Sequence, residues 1–596
     1  MNEESRICQN CKASFIIDAQ DFDFYKKIGV SPPTWCPDCR LQRRLAFLNH
    51  RTLYKRKCNM CAKNIIAMYP QDAPFPVYCQ ACYWSDKWDA KSYGRDYNFS
   101  VPFFEQFKKL NWSVPHVSLM GLHTTLINSE YNNLVSELKN CYLLFNSDHN
   151  ENCMYGSEIE NSKECCDTTM IESCQLCYQG INLTNCYNAK FSIDCENCQN
   201  MWFSKNCVGC TDCVGCMNLK NKKYHIFNEP YGKEEYTIKI KELNLDSREG
   251  LASAKRKVEE VMLKFPNKFI HGRQNMDVSG DYINHSKNVR NSYIALGAQD
   301  CRYCMWLIAK PSKDCYDLTQ FGENAERICD SLVIGIGASN IKFSSFCVDN
   351  ASSIHYSDNC FNGNNLFGCS FMQRGNSYCI LNKKYTKEEY EELTPRIIKH
   401  MDEMPYTDEK GRIYKYGEFF PPEISAFSYN ETSAQEFFPI TKEKALASGY
   451  SWREPETRNY QITIKKEQIP DSIGAVDSSI LEAVIGCAHE GNCTEQCTTA
   501  FKITPAELQF YQRLQLPLPD LCPNCRSYQR HQKLNPVKLW KRKCHCAGTN
   551  SENSTYKNSI PHSHGAEHCP NEFETSYSPE RKEIVYCGDC YNAEVA

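Results

Sequence analysis

Cysteine pairs at metal-knuckle spacing recur at both ends of this chain, and they constrain its fold more than any other feature. Cys36-Pro37-Asp38-Cys39-Arg40 runs on to Lys55-Arg56-Lys57-Cys58. Near the other end Cys522-Pro523-Asn524-Cys525-Arg526 runs on to Lys541-Arg542-Lys543-Cys544, with every matching position displaced by 486 residues. Two ends of one make bracket a long cysteine-rich middle.

In the first unit Cys8 and Cys11 precede Cys36 and Cys39, and Cys58 and Cys61 precede Cys79 and Cys82. Two Cys-x2-Cys pairs supply the four thiolates that tetrahedral Zn2+ takes, and closed four-cysteine sites are structural, since catalytic zinc keeps an open position. Iron suits four thiolates as well; zinc is expected, at about four structural sites per chain. In the last unit the ligands expected are Cys493, Cys497, Cys522 and Cys525, then Cys544, Cys546, Cys587 and Cys590. Cys487 or His489 competes with Cys493 for the first place. His562, His564, His568 and Cys569 form another site, replace Cys546, or belong to a polar loop.

The pattern Cys-x2-Cys, Phe15, Phe24-Tyr25, then Cys-Pro-x-Cys-Arg with Arg43-Arg44 resembles the probable zinc-ribbon domain family. A second copy matches at Cys497, Phe501 and Phe510-Tyr511. Combined with the repeats described next, the chain is similar to large bacterial zinc-ribbon proteins. The resemblance implies metal binding and no activity.

Arg40 to Lys57 holds Arg40, Arg43, Arg44, Arg51, Lys55, Arg56 and Lys57 and no acid. Arg526 to Lys543 holds Arg526, Arg530, Lys533, Lys538, Lys541, Arg542 and Lys543 and again no acid, in a chain of net charge -4. Such segments suit a phosphate backbone. The competing reading is a solvated helix face, or arginines that bond loop carbonyls and cover the ribbons.

In the middle, Cys141, Cys153, Cys165 and Cys177 are spaced by 12, as are Cys174, Cys186, Cys198 and Cys210, and Asn-Cys dipeptides recur. A short fixed period means units that stack. Twelve residues are too few for a helix pair and suit one narrow coil of a β-solenoid with small interior residues and Asn ladders at its turns. A looser version follows, from Ser292-Tyr293 to Cys379. Both regions run into charged amphipathic helices, 232–265 and 386–403. The interior cysteines read as buried thiols, as disulfide staples, or as metal ligands, the last best seen at Cys207-x2-Cys210-x2-Cys213-x2-Cys216.

The expected architecture is multidomain and mainly β. It has a double ribbon unit at 1–125, repeat regions at 126–231 and 271–385, and a helical insertion at 232–270. A helix and aromatic connector at 386–480 and a second double ribbon unit at 481–596 complete it. The start is polar and no long apolar run exists, so a cytoplasmic protein without membrane spans is expected. The 39 cysteines are an odd number, which rules out complete internal disulfide pairing. No nucleophile elbow, phosphate loop, His-Glu-x-x-His or dinucleotide fingerprint is present. The expected function is a non-enzymatic zinc-binding scaffold whose partner is a protein or nucleic acid. The alternatives are nucleic-acid binding through Arg40, Arg43, Arg44, Lys55, Arg56, Lys57, Arg526, Arg530, Lys541, Arg542 and Lys543, or cysteine-based redox or metal handling.

Overall fold

Every third residue from Leu134 to Phe227 sits at positive φ, in the left-handed region. Asn and Asp tolerate that conformation best among residues with a side chain, which is why Asn140, Asn152, Asn185, Asn188, Asn197, Asn200 and Asn206 hold these positions. The computed structural model describes residues 3–373, 375–454, 460–548 and 556–595. It is mainly β.

The strands that follow from this backbone are short and parallel. Asn133–Lys139, Tyr142–Glu151, Met154–Glu160 and Thr169–Glu172 form one four-stranded sheet. Tyr187–Lys190, Gln199–Trp202, Thr211–Val214 and Lys223–Ile226 form the parallel part of another. Register advances by 12 residues, as Gln199 pairs Thr211 and Thr211 pairs Lys223. Single parallel bridges such as Cys166 to Tyr178 and Gln175 to Tyr187 keep the same step between the two sheets. A turn at each third residue and a 12-residue step give four corners per rung. Asn side chains stack along one corner, Asn128 to Asn140 and Asn140 to Asn152 at 3.1 Å each.

The second repeat region builds a 13-stranded sheet from Gly272–Arg273 to Lys383–Lys384. Its step varies, from Met276 pairing Lys287 to Gln299 pairing Lys313. Apolar interior residues such as Ile328, Ile341, Ile354 and Leu366 mix with its cysteines here.

The cysteines of the first region face inward, except Cys166, which is buried against the last unit. Cys207, Cys210, Cys213 and Cys216 are all buried in one core, and each Sγ donates to the carbonyl two residues back at 3.4–3.5 Å. The three-residue corner spacing turns all four toward the interior. Helices Lys233–Glu242 and Arg248–Met262 follow the first region, and Lys387–Glu403 follows the second. The expected single helix over 232–265 is thus two, broken before Ser247, which caps the second through Gly250 N. Among the described residues no helix is long and apolar enough to cross a membrane.

Candidate metal centres and the arginine dock

Each terminal unit starts with a hairpin. Glu4–Ile7 pairs Ser14–Ile17 around Cys8 and Cys11, and Tyr54–Lys57 pairs Asn64–Ala67 around Cys58 and Cys61. The second ligand pair comes from a helix start, not from the second knuckle that the spacing suggests. Cys36 caps helix Pro37–Leu45, Cys79 caps Gln80–Tyr83, and Cys522 caps Pro523–His531. Pro37 and Pro523 at the first helical position fix two of these starts, and a helix N-terminus favours a thiolate.

Four groups of four cysteines bring their sulfurs within 4.8 Å of one another: 8/11/36/39, 58/61/79/82, 487/497/522/525 and 544/569/587/590. Individual separations are 3.7 Å for Cys11 to Cys36 and 3.9 Å for Cys61 to Cys79. A tetrahedral ion at ≈ 2.3 Å from each sulfur places them about 3.8 Å apart, so the residues fit zinc.

Two ligands differ from the spacing-based expectation. In every group the first cysteine accepts the N–H of the third: Cys36 to Cys8, Cys79 to Cys58 and Cys522 to Cys487 at 3.3 Å, and Cys587 to Cys544 at 3.2 Å. The first cysteine's own N–H closes the knuckle on a carbonyl two residues past the second ligand, at Ala13, Lys63, Thr499 and Asn571. By both criteria Cys487 takes the place expected for Cys493, and by the second Cys569 takes the place expected for Cys546. The knuckles Cys8-x2-Cys11 and Cys58-x2-Cys61 carry insertions in the last unit, giving Cys487-x9-Cys497 and Cys544-x24-Cys569. Those insertions leave the choice between the competing ligands open in the sequence. The usable signal was the flanking strand, since Ile485–Gly486 pairs Ala500–Phe501 directly before Cys487. Cys493 lies 3.9 Å from Cys525 at the rim of its group. Cys546 joins His562, His564 and Cys590 instead.

The basic segments turn inward. Arg40, Arg43, Arg44, Arg526 and Arg530 are buried to 2% exposure or less, so these five do not face a phosphate backbone. The helix that Cys36 starts carries Arg40 and Arg44 to Asp317 on strand Ser312–Phe321, at 2.9 and 3.0 Å. Arg44 also reaches Asp330 on Ala325–Gly335 at 2.7 Å, and Arg43 joins Asp330 to Glu418 of the connector.

The helix that Cys522 starts repeats the arrangement on the first repeat region. Arg526 and Arg530 hold Asp167 at 2.6 and 2.8 Å. Arg44 Nε donates to Thr319 Oγ1 and Arg530 Nε to Thr169 Oγ1. The Arg40 guanidinium stacks over Tyr303, and that of Arg526 over Tyr155. Tyr303 donates to Asp21 and Tyr155 to Glu507, both on the helix preceding the second ligand pair. The two arginine helices therefore dock crosswise: that of the first unit on the second repeat region, that of the last unit on the first.

The remaining predicted positions alternate along their strands, as period-2 geometry requires. Arg56 and Arg542 point inward and bond carbonyls, Arg56 to Pro70 O and Arg542 to Ser578 O. Lys55, Lys57, Lys541 and Lys543 are exposed. Sequence reasoning missed the acceptors Asp167, Asp317, Asp330, Glu418 and Glu507, single acids with no motif around them.

A buried polar cluster lies where both units, the connector and both repeat regions meet. Arg51 sits 3.9 Å from Glu436 and over the Phe145 ring, and His50 packs on Trp306. Burial, helped by Glu436, pushes Glu158 up to about 8, and burial pushes Glu436 up to about 7. Burial takes His50 down to about 4 and His531 down to about 3.

Comparison with known proteins agrees with this geometry at the first site. Residues 3–47 match the family described as a probable treble clef domain, a zinc-binding class in which a hairpin knuckle and a helix start share the ligands. No curated protein matches the chain. What the matched segment and the cysteine groups support together is a protein with treble-clef zinc binding at its start and several four-cysteine metal sites.

Proposed function

We propose that the chain is a non-enzymatic interaction scaffold held together by four structural zinc ions. In this reading the 12-residue rungs are coils of a β-solenoid in two regions, and their outer faces bind a protein partner. The observation that carries it is the crosswise dock. Each ion fixes the start of a helix, and two of those helices insert paired arginines against Asp167, Asp317 and Asp330. Four thiolates leave no open coordination position for substrate, so the ions serve architecture. Metal counting by mass spectrometry on protein purified without added metal tests this. About four zinc ions per chain are expected, with a lowered unfolding temperature on chelation. Fewer than about two, or unfolding that ignores the chelator, defeats the reading.

A second reading keeps nucleic acid as partner, on the observation that Lys55 and Lys57 share a groove with Lys63 and Tyr131. Binding of single-stranded RNA that weakens with salt, and weakens further in Lys55→Gln/Lys57→Gln/Lys63→Gln, favours it. Unchanged binding in that variant removes it.

A further inference from the structure

We propose that the last unit holds two metal ions, not one, bridged by the thiolate of Cys590. This rests on the four-thiolate reading of the neighbouring group and adds a second centre to it. Cys546, His562, His564 and Cys590 bring one ligand atom each within 4.8 Å of one another, and Cys590 also belongs to the group 544/569/587/590. Cys546 Sγ is 3.2 Å from His562 Nδ1, and Cys590 Sγ is 3.3 Å from His564 Nε2.

The outward ring nitrogens are anchored as those of metal-bound histidines are. His562 Nε2 lies 2.8 Å from Glu594 Oε1, in a pair that is 2% and 0% exposed. His564 Nδ1 lies 2.7 Å from the Glu567 carbonyl. An N–H donated to a carboxylate or carbonyl fixes the tautomer and turns the other nitrogen's lone pair to the centre. Glu594 is fixed in turn by Ser559 N and Oγ at 2.9 and 2.8 Å. Asn558 Nδ2 donates to Cys546 Sγ at 3.1 Å, and Tyr586 donates to Asn558 Oδ1. This is a built shell around each new ligand.

Two further facts agree. Cys546, His562 and His564 all lie inside the insertion that separates Cys544 from Cys569, where the first unit has only Asn59 and Met60. Charge balances better as well. One divalent ion on four thiolates leaves two net negative charges, whereas two ions on five thiolates and two neutral imidazoles leave one. Two soft and two imidazole donors select zinc among divalent ions available to a thiolate site.

Native mass spectrometry of the full chain loaded with Zn2+ tests the proposal. Wild type is expected to carry five zinc ions, and His562→Ala/His564→Ala four. Cys546→Ser is expected to lose the same single ion and serves if the histidine variant does not fold. A wild-type count of four or fewer, or a count unchanged in both variants, overturns the second centre. Four in every form leaves the four-thiolate sites standing, whereas fewer than about two in wild type removes that reading too.

Discussion

Arg530 meets Asp167 at 2.8 Å with neither side chain more than 1% exposed, and Arg44 meets Asp317 at 3.0 Å with neither more than 2% exposed. One carboxylate serves two guanidinium groups in each dock, Arg526 with Arg530 and Arg40 with Arg44. A buried charge network of this kind is asymmetric under mutation. Removing the shared acid strands two cations where water does not reach.

Asp167→Ala is therefore expected to destabilise the protein by about 3–5 kcal/mol, the range for breaking a buried pair. Arg526 keeps Glu507 at 3.2 Å, so Arg530 bears most of the loss. Chemical denaturation of Asp167→Ala and of Asp167→Leu/Arg530→Met measures it. The double variant should recover a large part of the lost stability, because the pair is replaced by apolar contact. A single variant as stable as wild type contradicts the dock.

Cys487→Ser and Cys493→Ser separate the two candidates for one place. The N–H bonds from Cys522 and to Thr499 put Cys487 in the knuckle. Cys487→Ser should cost one zinc ion per chain and lower the melting temperature. Cys493→Ser should keep the metal count. Inductively coupled plasma analysis of both variants reads the outcome, and the reverse pattern restores Cys493.

Much of this was legible in the sequence and some of it was not, for identifiable reasons. The ligands with intact Cys-x2-Cys spacing, Cys8 through Cys82, come together as read. Phe15 and Phe24-Tyr25 of the family pattern are buried on strand Ser14–Ile17 and helix Ala19–Ile28. Asn ladders and inward cysteines follow from a 12-residue period. What failed was anything set by long-range pairing. An insertion inside a knuckle changes spacing without changing the hydrogen bonds that define the knuckle, so spacing alone ranks Cys493 and Cys546 ahead of Cys487 and Cys569. Arg44 and Asp330 are 286 residues apart, and nothing local to either one says that they meet. A basic run looks the same in sequence whether its charges face solvent or buried carboxylates.

The interior thiols of the second repeat region should be inert in the folded state. Burial raises Cys301, Cys329 and Cys369 well above the ordinary thiol range, which removes the thiolate needed for reaction. Titration with an aromatic disulfide at pH 8 should find few reactive groups natively. Chelation should expose the ligand cysteines, and full denaturant should expose all 39. Rapid native modification of the repeat-region cysteines speaks for the redox alternative.

The polar cluster at the meeting point predicts a pH dependence. Glu158 titrates near 8 in the folded protein against about 4.3 unfolded. Its neutral form is what the fold stabilises. That contribution is complete below the unfolded value and is lost as pH rises toward 8. Glu436, held near 7, acts in the same direction. His50 and His531, held near 4 and 3, act oppositely, but only below about 6.5. Between pH 6.5 and 8 the glutamates dominate, and Glu158 alone should remove about 2 kcal/mol. Glu158→Gln should flatten that slope in urea denaturation series; an equally steep decline in the variant assigns it elsewhere.

The crosswise dock also sets an order of events during synthesis. Arg44 is made long before Asp317 and Asp330, with a separation of 286 residues from the latter. At ≈ 5–20 residues per second that interval is roughly 15 to 60 s. Until then the guanidinium groups of the first unit have no buried carboxylate to meet. The strands of the second repeat region then arrive as the surface that draws those groups in. In the other dock the acid comes first, and Asp167 waits for Arg530. Translation speed therefore sets how long each half of these buried charge networks exists without its counter-charge.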